Sequence, residues 1–372
     1  MRVMIASSAT GGHIYPALAV TEEIKRRAPE TEFLFVGAKW EIGKDIVNAA
    51  GYRQVFIEAR GFHRGNPFKN VGILLKLAGT STEIKKILRE FRPDVCFGTG
   101  GHISGPVIRS AKKAGVRTLI HEQNVIPGMA NRLAERYADK VFVGFEETVK
   151  HFKNPEKVVV SGNPVRAAIT WQPESFRAEM RTKSGVPEDA FCVLIFGGSQ
   201  GAGAINKAAV DAIRALKDKK GYAFILITGR DYYEETKNSI QTMTEGSAPV
   251  PVVCLEYSEE IQELYAAADL IVSRAGALTV TEIAHSGKAS ILVPSPNVTN
   301  NHQYFNAKVL SDAGAAELIS EDELGGEGGE KLAGEIERFA ADPGMTSAMG
   351  RAAASCAKPD AAKVIVDEIF GN

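Results

Sequence analysis

Short apolar runs recur along the chain, each followed by a loop rich in Gly, Ser, Thr or Asn and then by a stretch with helical spacing. In the first half the runs fall at 3–6, 33–36, 55–57, 95–97, 118–121, 140–143 and 158–161. They are near-continuous rather than alternating, as strands buried on both faces of a parallel sheet must be. Between them lie amphipathic segments at 16–27, with Leu18, Ala19 and Ile24 on one face, at 84–91, stopped by Pro93, and at 130–137. This βαβα alternation predicts a doubly wound parallel sheet. At GNPVR, residues 162–166, the pattern breaks into a turn-rich joint, and a polar segment follows at 173–189. The grammar then restarts. CVLIFGGSQGAGAIN is again strand, glycine loop and helix, and runs at 224–228, 252–255, 270–272 and 291–293 supply further strands. A glycine run at 325–329 reads as a hinge, and two helical stretches close the chain, the last at about 359–370. The expected architecture is α/β: two similar doubly wound domains facing across a cleft. Their expected limits are 1–162 and 163–355, with a C-terminal helix in 356–372 packing back on the first.

A chain of 372 residues exceeds what one core holds, which supports two domains. Hydrophobic residues make up 44%, too many for a disordered chain. The net charge of −1 argues against a general nucleic-acid binder. Cys96, Cys192, Cys254 and Cys356 lie far apart without metal-site spacing and read as reduced, mostly buried thiols of a cytoplasmic protein. No apolar run reaches the ~18–20 residues of a membrane span. The expectation is a soluble protein, or one that sits on a membrane without crossing it.

Five loops at strand ends carry the candidate chemistry: TGGH at 10–13, GTGGHISG at 98–105, HEQN at 121–124, GGSQGA at 197–202, and the opening of SRAGALTVTEIAHSG at 273–287. Backbone N–H groups in such loops suit phosphates, and their amides and carboxylates suit sugar hydroxyls. In the last loop Thr279 reads as a helix N-cap with Glu282 three positions on, a capping box that needs no ligand. The G-x-G-x-x-G and G-x-x-x-x-G-K-[ST] fingerprints are absent, and no D-x-D pair offers a divalent-cation site, so neither metal nor cofactor is expected. One further stretch, NPFKNVGILLKLAG, mixes apolar and basic residues: Phe68, Val71, Leu74 and Leu75 with Lys69 and Lys76. It suits an anionic membrane surface, and equally an ordinary helix with its leucines against the sheet.

Taken together, TGGHIYPALA, GTGGHISGP, HEQNVIPG, GNPVR, GGSQGA, SRAGALTVTE and NHQYFNA, in that order, resemble the MurG glycosyltransferases almost end to end. The chain departs from the family pattern in SSATGGH, which lacks a first-loop glycine, and at His102, where tyrosine is usual. The resemblance implies a GT-B fold and an inverting transfer of N-acetylglucosamine from UDP to the C4 hydroxyl of the muramyl sugar in lipid I, giving lipid II. It implies an acceptor-binding N-terminal half on the cytoplasmic face of the membrane and a donor-binding C-terminal half. Thr10, Gly11, Gly12 and Asn124 are then expected near the diphosphate and sugar. Arg166, Ser199, Gln200, Ala277, Leu278, Thr279 and Glu282 are expected to hold diphosphate and ribose, and Gln303 to read the sugar. Gly100, Gly101, His102 and Glu122 fall on the acceptor side. His13, after two glycines at a strand–helix turn, is the expected base, with Glu122 or His121 next in line. Read from the residues alone, each has a plainer alternative: a surface ion pair for Arg166, a helix-surface amide for Gln303, a turn residue for Asn124, a packing histidine for His13. Competing functions are a nicotinamide oxidoreductase, which lacks its fingerprint, a UDP-sugar 2-epimerase on the same fold, and a non-catalytic sugar-nucleotide binder.

Overall fold

The computed structural model describes residues 1–7, 11–38, 43–57, 69–166, 169, 172–244, 250–324 and 328–371; for 43–44, 69–79, 174, 244 and 328 it describes the backbone only. The chain forms two units, Met1–Arg166 with Lys358–Asn372, and Ala167–Ala357. The junction falls after Arg166, at the end of GNPVR. Arg166 belongs with the first unit, its guanidinium lying 5.3 Å from the centre of the Tyr15 ring.

The first unit holds seven strands: β1 (Arg2–Ser7), β2 (Glu32–Ala38), β3 (Gln54–Ile57), β4 (Val95–Gly100), β5 (Arg117–Glu122), β6 (Lys140–Val143) and β7 (Val158–Val160). All pair in parallel, in the order β3-β2-β1-β4-β5-β6-β7. Strand alternation divides the core between the two faces: Met4 and Ala6 pack with Ile103, Val107 and Ile108, while Val3 and Ile5 pack with Ile14, Ala17 and Ile24. The helix Gly11–Arg27 starts well before the expected residue 16, so Pro16 lies inside it. The final helix, Ala361–Phe370, buries Ile365, Val366 and Ile369 in this second face. It is tied there by Arg27 to Asp367 and Arg117 to Glu368.

The second unit holds β8 (Phe191–Phe196), β9 (Tyr222–Ile227), β10 (Val252–Leu255), β11 (Leu270–Ser273), β12 (Ala289–Leu292) and β13 (Glu317–Leu318), in the order β10-β9-β8-β11-β12-β13. These pairings are parallel too. The two sheets therefore share one order of strands. In each, the first strand is flanked by the second and the fourth, so the connections leave to opposite sides there. That switch point opens a crevice beyond the carboxyl ends of the strands.

Candidate active site

In the first unit the switch point lies between β1 and β4. The helix Gly11–Arg27 starts after β1, and Gly101–Lys113 starts directly after β4 with Gly100 as its N-cap and no side-chain cap. Gly11, Gly12 and His13 form the first turn of one helix, and Gly101 and His102 open the other. Thr10 lies outside the described residues. Gly100 has φ +106°, and a Cβ there would stand 3.0 Å from His13 Cε1 and 3.4 Å from Asn131 Nδ2. Only glycine fits both the backbone and the packing, so the position is fixed by the histidine beside it.

HEQN leaves β5 with the period-two alternation of a strand. His121 and Gln123 share one side, and Glu122 turns to the other. His13 Nδ1 is 3.0 Å from Gln123 Oε1, and Gln123 Nε2 is 3.0 Å from the Thr99 carbonyl oxygen and 2.9 Å from His121 Nδ1. His121 Nε2 is 3.0 Å from the Gly162 carbonyl oxygen. Burial pushes the His121 pKa down to about 4, against the Gly162 bond, which raises it, and with the nearby His13 lowering it further. Glu122, only 2% exposed, accepts four hydrogen bonds: from the Asn124 N–H (3.0 Å) and Nδ2 (3.2 Å), the Gly128 N–H (2.9 Å) and Asn131 Nδ2 (2.9 Å). Its oxygens organise the loop 122–131 rather than face outward. Asn124 is held by that carboxylate through both backbone and side chain. Gln123 and Asn131, which the sequence reading left without a role, are each 2% exposed and sit at the centre of this network. The signal for Gln123 was the strand period of two carried from His121 one residue past the end of the strand at Glu122.

In the second unit the switch point lies between β8 and β11. After β8 the loop 197–202 precedes the helix Gly203–Leu216, whose N-cap, Ala202, makes no side-chain bond. Ser199 and Gln200 lie in the turn of this loop, closed by the Gly201 N–H on the Gly198 carbonyl oxygen at 2.9 Å, ahead of the helix start. Two positive-φ glycines in one short loop, Gly198 and Gly201, delay the helix. After β11 the helix Ala277–Ser286 begins with Gly276 as N-cap and no side-chain cap. The capping-box reading is thus corrected. Thr279 and Glu282 already lie inside the helix, and the N-cap residue Gly276 places no side-chain oxygen on the first-turn N–H groups. Glu282 instead accepts a bond from the Tyr265 hydroxyl at 3.1 Å, and Tyr265 is itself 1% exposed against Phe196. Gln303 opens the helix His302–Asp312, and its Oε1 accepts the Ser295 N–H at 2.9 Å, which directs its NH2 away from that loop.

The structure thus gathers His13, Gly100, Gly101, His102, Glu122 and Asn124 in the first unit, and Ser199, Gln200, Ala277–Glu282 and Gln303 in the second. Arg166, expected on the diphosphate, is part of the first unit. Of the expected membrane stretch, Phe68 lies outside the described residues. Lys69, Val71, Leu74, Leu75 and Lys76 are on the helix Lys69–Phe91, with only their backbone described.

Residues 3–143 match the glycosyltransferase family 28 N-terminal domain, and residues 192–365 match the glycosyltransferase family 28 C-terminal domain. With two parallel-sheet units whose candidate residues cluster at the switch points, this defines a glycosyltransferase of GT-B architecture. The UDP-N-acetylglucosamine–N-acetylmuramyl-(pentapeptide) pyrophosphoryl-undecaprenol N-acetylglucosamine transferase of Desulforudis audaxviator is 40% identical over 370 residues, covering 99% of this chain and 98% of the relative. That of Bacillus subtilis is 40% identical over 362 residues, 97% of each chain. The crystal structure of Acinetobacter baumannii MurG covers 100% of this chain and 99% of its own, at a TM-score of 0.77 and 25% identity. A UDP-GlcNAc 2-epimerase from Neisseria meningitidis, at a TM-score of 0.70 and 13% identity, shares the fold alone. The chain belongs to the MurG family of N-acetylglucosamine transferases.

Proposed function

We infer that the chain moves N-acetylglucosamine from UDP-N-acetylglucosamine to the C4 hydroxyl of the muramyl sugar in lipid I, forming lipid II with inversion at the sugar carbon, and that His13 is the general base. The reaction is that of the family. The observation that supports the base is the placing of His13 at the first switch point, on a helix turn roofed by Gly100 and held at one ring nitrogen by Gln123. Such a base contributes roughly 10²–10⁴-fold. The larger share falls to alignment and to stabilising the departing diphosphate.

For the diphosphate, the second unit offers the open first turn of Ala277–Ser286 and the Ser199–Gln200 turn. An exposed helix terminus contributes only about 0.3–1 kcal/mol; in the first unit Arg166, a permanent cation with forked donors, is the candidate for a phosphate. Glu282, aimed by Tyr265, accepts from the ribose hydroxyls, and the Gln303 NH2 reads the sugar. Asn124 and the Gly11–Gly12 turn take the sugar side in the first unit. The Gly100–His102 turn takes the acceptor.

An acceptor on a polyprenyl chain stays in the bilayer, so the enzyme works as a peripheral protein at its cytoplasmic surface. Among the described residues no helix is long and apolar enough to cross a membrane. On the helix Met129–Ala134, Met129 and Leu133 are 61% and 55% exposed. Four residues apart, they share a face, and exposed Arg132 and Arg136 flank them. We assign this exposed face to the contact with the membrane.

The test is transfer of labelled N-acetylglucosamine from UDP to a short-chain lipid I analogue. The intact chain transfers it, and His13→Ala lowers kcat by at least about 10²-fold while the donor Kd stays within about twofold. Turnover of UDP-N-acetylglucosamine without an acceptor would replace this reading by epimerisation, and full activity in His13→Ala would remove the base.

A further inference from the structure

The hydrogen bonds around His13 fix more than its place. Their consequence rests on His13 being the base, and it assigns a task to two residues that touch neither substrate. The carbonyl oxygens of Thr99 and His121 can only accept, and both lie beside Gln123 Nε2, at 3.0 and 3.3 Å. The amide therefore presents its nitrogen to them. An amide NH2 only donates, so His121 Nδ1, 2.9 Å away, accepts. The His121 proton is then on Nε2, and that nitrogen lies 3.0 Å from the Gly162 carbonyl oxygen, another group that only accepts. The two sides of the ring thus give the same tautomer independently. His121 is fully buried and neutral at physiological pH, with its pKa held down to about 4 by burial. With its nitrogen end committed, Gln123 turns Oε1 to His13 Nδ1 at 3.0 Å, and an amide oxygen only accepts. His13 therefore carries its proton on Nδ1. Its Nε2 has no partner among the described residues.

We propose that His121 and Gln123 are positioning residues: the chain Gly162–His121–Gln123–His13 holds His13 in the Nδ1–H tautomer, so that Nε2 is the basic nitrogen of the transfer. In the reaction the acceptor O–H bond breaks as its proton forms a bond to Nε2. The oxygen bonds the sugar carbon, and the carbon–oxygen bond to UDP breaks with its electron pair leaving on the diphosphate. His13 becomes imidazolium, its Nδ1–H still on Gln123 Oε1. None of the relay atoms gains or loses a proton. The rigidity of the arrangement is itself built: Asn131 Nδ2 holds the His121 carbonyl oxygen at 3.0 Å, and Gly100 closes over the His13 ring. The other ionisable groups on the elements around this end are Tyr15 and Glu22 on the same helix, Arg166 over Tyr15, His102 on the helix after β4, and Glu122 on β5. The Glu122 carboxylate is turned to Asn124, Gly128 and Asn131.

Nitrogen-15 NMR of the full chain with labelled histidine rings decides the tautomer directly, without a variant. His13 and His121 are assigned by His13→Gln and His121→Phe. The expected wild-type spectrum shows, at a pH where both rings are neutral, a protonated Nδ1 with a bare Nε2 for His13 and the reverse for His121. A protonated Nε2 on neutral His13 overturns the proposal. Gln123→Met removes the acceptor at similar volume. The His13 resonance then moves toward the Nε2–H form that free imidazole prefers, and kcat falls about tenfold with KM for UDP-N-acetylglucosamine unchanged. Gln123→Glu places a carboxylate on Nδ1, which favours imidazolium, so the acid limb of the pH profile of kcat/KM moves up by about one unit. A structural role alone moves neither the tautomer nor that limb, and unchanged values in both variants overturn the proposal. Should His13→Gln keep wild-type turnover, the base assignment falls with the catalytic part of the relay. Should His13→Gln be inactive while the Gln123 variants behave as wild type, the relay alone falls.

Discussion

His121 couples this site to the stability of the first unit. Its folded pKa, held down to about 4 by burial, lies below the ordinary value of 6.5. The folded unit therefore binds fewer protons than the unfolded chain between those values. By linkage, the stability present above pH 6.5 is lost as pH falls toward 4, by about 3 kcal/mol for a difference of this size. Below pH 4 both states carry the proton and this contribution levels off. Urea midpoints measured from pH 7.5 to 4 should fall through that window, and His121→Phe should flatten the fall. A wild-type midpoint independent of pH there would mean that His121 titrates normally. HEQN was legible in the sequence as a site, but its internal bonding was not. The partners of Gln123 and His121 stand 24, 41 and 110 positions away, at Thr99, Gly162 and His13, and only the sheet brings them together. Glu122 shows the same limit. As a residue type it suits proton transfer, yet its oxygens are taken up by four N–H groups of its own loop.

Elements with continuous apolar runs were legible from pattern, because a strand buried on both faces leaves no polar positions to confuse it. β13 was not, since a pairing of only Glu317 and Leu318 leaves too short a run. Helix starts misled for a physical reason. Thr279 and Glu282 have capping-box spacing, but Gly276 ends the extended segment earlier and leaves the helix without a side-chain cap; the first helix of the chain likewise starts early, at Gly11, ahead of Pro16. The Gly276 start falls at a switch point, where, on the proposed function, open N–H groups serve the diphosphate better than a cap does. The opposite, amino ends of the β8 and β11 strands are closed by charge instead. A cavity of about 810 Å³ there is lined by Arg177, Arg181, Asp269 and Lys288 among others. Asp269 pairs with Arg177 and with Arg181, whose side chain is 2% exposed, and also accepts the Cys192 N–H at 2.8 Å. Arg181 further donates to the carbonyl oxygens of Ala267, Glu188 and Ala190, and Lys288 to those of Ala266 and Ala268. These groups lock the helix Glu174–Lys183 onto the sheet. Asp269→Ala strands a buried guanidinium, which costs about 3–5 kcal/mol. Urea unfolding of the variant should show that loss in the second unit. A loss below about 1 kcal/mol would mean that the carbonyl oxygens alone hold Arg181.

At the scale of the whole molecule, the repeat of strand, glycine loop and helix at 3–13 and 192–206 announced two units of one design, and the shared strand order of both sheets gives that repeat its physical content. The division of labour follows from what each switch point carries. On the proposed function, the first has an imidazole and buried amides suited to a hydroxyl, and the second has an open helix turn suited to a diphosphate and a carboxylate suited to ribose hydroxyls. The proposed lipid-linked acceptor adds a demand that neither switch point meets: contact of the first unit with a bilayer. The short helix Met129–Ala134 joins the two demands. Its buried Asn131 holds Glu122 and the His121 carbonyl oxygen, while Met129 and Leu133 point outward between Arg132 and Arg136. Arg136 and Arg109 also lie over Tyr137, at 4.8 and 5.9 Å, which keeps them near the surface. Two apolar side chains entering the headgroup boundary and cations worth about 1 kcal/mol each near anionic lipid suffice for reversible attachment. Met129→Ser with Leu133→Ser should therefore lower co-sedimentation with anionic vesicles and turnover on a long-chain acceptor by severalfold. Turnover on a water-soluble short-chain acceptor should be kept, since Asn131 and its bonds remain. Equal loss on both acceptors would mean that the helix had shifted and taken the His121 network with it. Unchanged vesicle binding would move the contact to the 68–76 stretch alone.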